Sequence, residues 1–592
     1  MLRRNTTEFL IMFFCHLAEV FESISHATSR TIITVQLADL FKQLSPDELS
    51  IVCNLALGQL YPTYIPTQFA IASKTMIKIV AHLCAVAEPE IIQATKKQGD
   101  IGDVIMTYTW QGSGKLSITA VYNSLVSLEK ISGTGSHEGK ITHLRTLLAM
   151  LTPLEAKYIA RIILGKLRLG FSDMTIIDAL SWMVTDNKSL HSTIEDAYNI
   201  CADIGLIART LKSNGVQDLE AMKIHVGIPI RPAAAERLPS AQAIIEKIGP
   251  CVAEPKLDGL RLQVHIATQQ DGSKHIQFFS RNIQDMSHMF PDLVEAFKTL
   301  AIETLVCEGE AISFDQNTGS FLPFQETAKR RRKHDISEIM QEFPLQLFLF
   351  DLLYYNGTSY LAMPLHTRRA QLRSIVDSLQ SEIIKNTEER AITTAQELET
   401  YLAETIAAGL EGLVIKKPDA PYQPGKRNFN WIKLKMHSEG SLEDTIDCVV
   451  LGYYKGQGRR TTLGIGALLV GVYNKAKDCF QTIAKIGTGL NDDGWEDIKK
   501  QCDNIQCTDI PHNVECNRQL MPDVCTEPRI ICQIRADEIT LSPLHTACKT
   551  DAVSGFALRF PRFMGYRTDK GPYEATSSQE IQRMYNDQFS TR

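Results

Sequence analysis

The sequence predicts a multidomain protein that runs from an all-α region, through an α+β domain, to a small β-barrel. Three observations predict it. Apolar residues recur at helical spacing up to about residue 225. After Val226–Pro232 (VGIPIRP), runs of period-two alternation appear with helical segments between them. From about Ile446 only short strands and turns remain. The expected domains are 1–225, 226–440 and 441–592, and a chain of 592 residues is too long for a single core.

The helical region is carried by segments such as LAEVFESI, PDELSIVCNLAL, TPLEAKYIARIILGKL and SDMTIIDALSWMV. Ser45-Pro46-Asp47-Glu48 and Thr152-Pro153 each place a capping residue before a proline in the first helical turn. Ser132–Gly139 (SGTGSHEG) reads as a loop between helices. The start MLRRNTTEFLIMFFCHLAEV has Arg3, Arg4 and an apolar run in the manner of a signal peptide. Leu17, Val20, Phe21 and Ile24 nevertheless continue at helical spacing and no small-residue cleavage site is legible. An amphipathic helix, with translation starting at or near Met12, is the expectation.

The α+β domain is read from LRLQVHI, IQFFSR, TLVCEGEAI, LQLFLFDLLYY, GLVIKK and NWIKLK as strands, with DLVEAFKTL and HTRRAQLRSIVDSL as helices. The barrel is read from DCVVLGYYKG, GALLVGVYN, CFQTIAKIGTG and IICQIRADEI, and SSQEIQRMY closes the chain as a short helix.

Bulk properties narrow the function classes. The chain is 44% hydrophobic and 22% charged, as soluble globular proteins are. No apolar run approaches the ~20 residues of a membrane span. The 14 cysteines are scattered, and the late six show no CxxC pair, so reduced thiols are expected there rather than a zinc site. A net charge of -6 argues mildly against nucleic acid. Binding depends on charge distribution, however, and basic clusters stand at Lys329–Lys333, Arg459–Arg460 and Arg559–Lys570.

The charged strings of the α+β domain carry the chemistry. Glu254, Lys256 and Asp258 crowd the entrance of an apolar strand in EPKLDGLRLQVHI. Ser280-Arg281-Asn282, Glu308-Gly309-Glu310, Phe350-Asp351 and Glu411-Gly412 sit at what read as the ends of further strands. In NWIKLK, Lys433 and Lys435 must share one face, because strand side chains alternate. Two neighbouring ammonium groups repel unless an anion such as a triphosphate lies between them. Each string alone could be a solvated turn or an ordinary edge strand; their order on successive strands of one domain is the stronger signal.

KLDGLR, SRN, CEGEAI, LFLFDLLYYNG, EGLVIKK and WIKLK, in that order, resemble the motifs of covalent nucleotidyltransferases. The whole chain resembles ATP-dependent DNA ligases of the type shared by archaea and the eukaryotic replicative enzymes. RFPRFMGYRTDKGPYEAT (Arg559 to Thr576) is the most specific string, since capping enzymes and RNA ligases lack that form. ALGQLYP and LGKLRLG resemble the helical DNA-binding domain, PIRP the linker, and IGTG with ADEITLSP the OB-fold domain. The first eleven residues fall outside the likeness. Glu308 stands where Asp is usual, and PIRPAAAERL replaces the more common PxxPMLA linker.

The resemblance implies a helical DNA-binding domain, an adenylation (nucleotidyltransferase) domain and an OB-fold domain. It implies nick sealing in replication, recombination and repair. Lys256 would take AMP from ATP, AMP would pass to the 5′-phosphate of a nick, and the 3′-hydroxyl would displace it. A neutral amine must attack, whereas free lysine has a pKa near ~10.4; desolvation and neighbouring cations favour the neutral form. Glu254 would read the adenine and Phe350 would stack on it. Arg261 and Glu310 would hold the ribose and nearby phosphate oxygens, and Arg281 the nucleotide or the nick's 5′-phosphate. Arg427, Lys433 and Lys435 would neutralise phosphates. Glu310 and Glu411 would ligand Mg2+ through hard oxygens. Arg562, Arg567, Asp569 and Lys570 would engage the pyrophosphate when the barrel closes.

The implied partners are ATP and nicked double-stranded DNA, held through phosphates rather than base edges, with Lys166, Arg168 and Lys329–Lys333 as candidate contacts. A sliding clamp is a further candidate, although no docking peptide is legible at either end. A monomer without membrane association is expected, in a prokaryotic cytoplasm, or in the nucleus of a eukaryote. An RNA ligase or mRNA guanylyltransferase shares the lysine chemistry, and a nick-binding scaffold with a dead site is the non-enzymatic alternative.

Overall fold

The computed structural model describes residues 11–590, apart from 28, 111, 239, 316–318, 323–325, 328, 332–339, 341, 436–444 and 551–553. Arg332 and Lys333 of the basic cluster therefore lie outside the described residues, as do Arg3 and Arg4. The chain divides into two compact units, Met1–Ile91 with Gly102–Met436 and Ile92–Ile101 with His437–Arg592. The helical region, apart from Ile92–Ile101, falls in the same unit as the mixed-sheet region. Their contacts include Tyr64 edge-on to Phe279 (6.2 Å) and the ion pairs Arg231–Asp173 (3.5 Å) and Lys426–Asp196 (2.8 Å).

The helices begin with Phe14–Ser25, whose Leu17, Phe21 and Ile24 are buried at the spacing the sequence shows. Ser45 and Thr152 both cap as expected. Each accepts the amide three residues on, while Glu48 or Glu155 reaches back to the cap residue's own amide. The SGTGSHEG reading needs correction, because Ser136–Gly139 form the first turn of the helix Ser136–Met150. Gly135, at a left-handed φ of 80°, turns the chain into that helix, and Glu138 suits its N-terminal end.

Among the described residues, eleven strands follow in the first unit: β1 Ala234–Arg237, β2 Cys251–Pro255, β3 Leu260–Thr268, β4 Lys274–Ser280, β5 Thr304–Ser313, β6 Leu345–Tyr355, β7 Thr358–Ser359, β8 Ile384–Asn386, β9 Arg390–Ile392, β10 Gly412–Lys416 and β11 Arg427–Lys435. One sheet has the order β1-β11-β10-β2-β9; the other has β4-β3-β5-β6-β7, with β8 beside β6. Helices Ala241–Ile248 and Ala395–Ala407 bury Ile244 and Leu398 against Leu413, Ile415, Ile432 and Leu434 of the first sheet. Helices Pro291–Lys298 and Leu365–Leu379 bury Leu293, Phe297, Leu372 and Ile375 against the second. A smaller cluster with Ile230, Val306, Leu353, Tyr422 and Trp431 joins the two sheets.

Glu308–Glu310 and Phe350–Asp351 lie inside β5 and β6 rather than at strand ends. Buried partners explain how the strands keep their acids: Glu308 takes Arg261 at 2.8 Å, and Asp351 takes Arg368 at 2.7 Å. The β5–β6 register shifts at Val306/Cys307 and again at Glu308/Gly309.

The second unit is β-rich, as expected. It contains β12 Ile446–Tyr454, β13 Ala467–Asn474, β14 Cys479–Ile486, β15 Gln506–Cys507, β16 Val514–Glu515, β17 Val524–Thr526, β18 Ile531–Arg535, β19 Glu538–Ser542, β20 Gly555–Arg559 and β21 Arg562–Tyr566. Its main sheet runs β15-β17-β12-β13-β14-β16, with β18 joining β12 to β21, while β19 and β20 pair separately. Trp495 and Ile498 of the helix Asp492–Asp503 complete its core. The terminal helix is Ser578–Ser590. Each of the 14 cysteines is a free thiol. Among the described residues, no helix is long and apolar enough to cross a membrane.

Candidate active site

Lys256 occupies the connection between β2, in the first sheet, and β3, in the second. A residue at such a crossing faces both sheets. Its backbone is pinned to the start of β10: the Lys256 amide donates to the Gly412 carbonyl (2.8 Å), and the Lys256 carbonyl accepts from the Glu411 amide (3.3 Å). The Lys256 ammonium pairs with Glu411, whose other oxygen takes Lys435. Burial works against ionisation of Glu411, but Lys256 and Lys435 outweigh it and hold its pKa below the ordinary carboxylate value.

Lys433 and Lys435 share a face of β11, as the alternation requires, and Trp431 shares it with them. The Lys433 pKa is lowered, first by burial, then by repulsion from Lys435, Arg427, Arg281 and Lys256. Four other predicted cations are thus close enough to act on Lys433. Arg281, in the turn after β4, and Arg427, opening β11, are exposed at the edge of this group.

Arg261 of β3 stands opposite Glu310 of β5 in register. The Glu310 carboxyl is raised to about 7 by burial, against the pull of Lys256 and Arg261. Arg261 itself donates to Glu308 and to the Ala233 carbonyl, both at 2.8 Å. Its guanidinium lies 5.5 Å from the Phe350 ring and 5.4 Å from Trp431. Phe350 and Trp431 meet edge to face at 5.9 Å.

Glu254 is almost fully buried and pairs with Lys416 at 2.7 Å; its other oxygen, 4.0 Å from Arg369 Nε, accepts no hydrogen bond. Lys416 lies 4.7 Å from the Phe350 ring. Glu254 is therefore partnered away from the Lys256 amine, on the aromatic side. Arg562 and Lys570 belong to the second unit, where Arg562 pairs with Asp537 (3.2 Å) and Lys570 with Asp447 (2.6 Å).

Glu308, Lys416, Trp431 and Tyr422 also build the site, although the sequence reading assigns them no role. The signal for Trp431 and Lys416 was the same two-residue alternation that picked out Lys433 and Lys435. Glu308 and Tyr422 are joined by a 2.9 Å hydrogen bond across 114 residues, for which no local signal exists.

The residues fit a purine nucleotide. An aromatic wall of Phe350 and Trp431, an orphaned buried acceptor on Glu254 and an orphaned buried donor on Arg261 Nε suit a base and its sugar, and Lys256, Lys433, Lys435, Arg281 and Arg427 supply positive charge for phosphates. Glu310 and Glu411 are the hard-oxygen donors here that would hold a magnesium ion, and such a site needs only one or two carboxylates. Among the described residues, no group of three or more His, Cys, Asp and Glu forms an all-protein metal cage.

A lysine at the seam of two sheets, on a carboxylate shared with a second lysine and near an aromatic wall and further cations, suits an enzyme that transfers nucleotides. Three family models match successive parts of the chain: DNA ligase N terminus over 12–181, ATP dependent DNA ligase domain over 232–435 and ATP dependent DNA ligase C terminal region over 461–570. The probable DNA ligase of Dictyoglomus turgidum is 42% identical over 98% of both chains, and DNA ligase 2 of Thermofilum pendens is 37% identical over 97% of both. The chain belongs to the ATP-dependent DNA ligases. Its fold is shared with the solved structure Pmar-Lig_PreS3, at a TM-score of 0.53 and 18% identity over 93% of this chain and 99% of that one.

Proposed function

We propose that Lys256 is the nucleophile of an ATP-dependent DNA ligase. The observation that carries the reading is the placement of its ammonium on Glu411, a carboxylate shared with Lys435, with Lys433, Arg281 and Arg427 around them. The amine gives up a proton and attacks the α-phosphorus of ATP. A P–N bond forms, the bond to the β-phosphate oxygen breaks, and pyrophosphate leaves with its charge neutralised by the surrounding cations. AMP then passes to the 5′-phosphate of the nick, and the 3′-hydroxyl displaces it to seal the strand.

In this reading Glu254 accepts from the adenine, and Phe350 with Trp431 forms the face against which the base packs. Arg261 and Glu310 hold the ribose side, Arg281 and Arg427 the outer phosphates, and Lys433 and Lys435 the α-phosphate. Magnesium supplies positive charge at the phosphates when Glu310 and Glu411 hold it. Arg562 and Lys570 act on the pyrophosphate. We read 1–225 as the DNA-binding domain, 226–440 as the adenylation domain and 441–592 as the OB-fold domain. One copy of the chain carries every motif, so a monomer suffices at the nick.

The test is incubation of the full chain with α-labelled ATP and magnesium, followed by acid precipitation. The chain should take up label, Lys256→Ala none, and a 5′-phosphorylated nicked duplex should release the label as AMP while the strand is joined. Label on Lys256→Ala would overturn the assignment of the nucleophile.

A further inference from the structure

Two polar side chains in the middle of β3, Gln263 and His265, do not face water. Arg261, Gln263 and His265 alternate with the apolar Leu260, Leu262, Val264 and Ile266, yet Gln263 is 3% and His265 1% exposed. What covers them is the extended linker that leads out of the helical region. The His265 Nδ1 accepts from the Gly227 amide at 3.0 Å. Gln263 grips Ile230 twice: its Oε1 accepts from the Ile230 amide at 2.7 Å, and its Nε2 donates to the Ile230 carbonyl at 3.0 Å. Arg261 donates to the Ala233 carbonyl at 2.8 Å. Every third linker residue is thus held by every second residue of β3.

Beneath this strap lies Glu308, fully buried. Its carboxylate accepts from Arg261 Nη2 (2.8 Å), Gln263 Nε2 (3.3 Å) and the Tyr422 hydroxyl (2.9 Å). The Tyr422 oxygen in turn accepts from the Ala233 amide at 2.9 Å. The histidine fits the same scheme as a neutral ring, protonated on the nitrogen that faces Gln263 Oε1 (2.9 Å), and burial holds its pKa down at about 3. A buried carboxylate with several donors gives little stability over a well-packed apolar substitute, so its consequence lies in geometry. Two of the three Arg261 nitrogens are bonded into this network, which fixes the plane of the guanidinium between Phe350 and Trp431.

We propose that Gln263 and Glu308 are positioning residues that aim Arg261 through the linker, so that the seating of the linker sets how tightly the nucleotide is held. The proposal rests on the reading that Arg261 contacts the nucleotide. A helical region pulling on Val226–Pro232 would reach the nucleotide site through two side chains, without touching it.

The experiment measures the initial rate of lysyl-AMP formation against ATP concentration with the full chain. Gln263→Leu removes both grips at similar volume. It should raise the half-saturating ATP concentration about tenfold, the effect of losing roughly one well-placed hydrogen bond, with the maximal rate changed less than about threefold. Tyr422→Phe, which deletes one hydroxyl and should fold normally, should shift it in the same direction, as should Ile230→Pro in the linker. In an Arg261→Ala background, Gln263→Leu should add nothing. If Arg261→Ala leaves the ATP dependence unchanged, the reading of Arg261 as a nucleotide contact fails. If Arg261→Ala shifts it while Tyr422→Phe and Gln263→Leu do not, or if the double variant shows the full sum of the two effects, the positioning role fails.

Discussion

Burial pushes the Glu310 carboxyl up to about 7 even though Lys256 and Arg261 both favour its charge. The unperturbed value is 4.5, so between these two values the folded chain binds a proton that the unfolded chain has lost. Stability contributed by this group is therefore greatest below about 4.5 and falls as pH rises towards about 7. Glu310→Gln keeps the shape without the charge. It should be more stable than the parent at pH 8, by on the order of 1–3 kcal/mol, and no more stable near pH 4. Denaturant unfolding at the two pH values checks this; an equal difference at both would contradict it. The same variant should lose most of its lysyl-AMP formation, because the site keeps this carboxylate at the expense of stability. The side chains that the sequence reading passed over follow from the same chemistry. Gln263 and Glu308 are polar at positions where polarity reads as solvent exposure, and only partners 33 to 114 residues away reveal that they are inside. Lys416 is buried against Glu254 at 2.7 Å, a partner 162 residues away along the chain.

At the scale of elements, the start of β10 is the fixed point of the site. Gly412 has a φ of 146°, and a Cβ there would come within 2.2 Å of the Leu434 carbonyl oxygen on β11. Its own carbonyl holds the Lys256 amide. Gly412→Ala should therefore push β10 from β11, cost roughly 2–4 kcal/mol, and slow lysyl-AMP formation along with it. Gly409 has a milder left-handed φ of 80° and open space around it, so Gly409→Ala should cost only about 1 kcal/mol and spare the chemistry. Equal losses from the two would show that backbone strain, not the clash with β11, dominates. At the caps, Thr152→Ala should lose about 1 kcal/mol in a denaturant titration, because Glu155 behind it is buried and loses a partner. These caps were legible because their signal is local: a hydroxyl, a proline and an acid within four residues. So was the parity of Trp431, Lys433 and Lys435. The helix start at Ser136 was not legible, since two glycines and three small polar residues mark a turn whether or not a helix follows. The placement of charged pairs inside β5 and β6 was hidden for another reason: Arg261 and Arg368, which make it possible, come from elsewhere in the chain.

For the molecule as a whole, the question is how a chain of net charge -6 holds a polyanion. The sequence counts charges but does not show their partners, and several cations in its basic clusters are already committed. Arg330 is buried against Asp292 at 2.7 Å, and Lys329 pairs with Glu326 at 2.6 Å. Arg559 pairs with Glu538 and Arg562 with Asp537, while Arg567 and Lys570 share Asp447. Arg330 is therefore set aside as a phosphate contact. Exposed pairs such as Arg562–Asp537 are a different matter, because a surface ion pair is worth only about 0–1 kcal/mol and a phosphate can replace the acid. Lys166 remains exposed in the LGKLRLG loop, between the buried Ile163 and Leu167. Nick affinity should thus depend on phosphate contacts made mostly at the expense of weak surface pairs. Each phosphate neutralised lowers log K by about 0.9 per tenfold rise in salt, so four contacts would cost about 100-fold between 50 and 200 mM salt. Equilibrium binding of a nicked duplex to Lys256→Ala, which cannot adenylate, isolates this step. The slope should be the same for nicks in A·T-rich and G·C-rich contexts, because phosphates are the same in both. A flat salt response, or a slope that changes with base composition, would mean that base edges or apolar contacts carry the affinity instead.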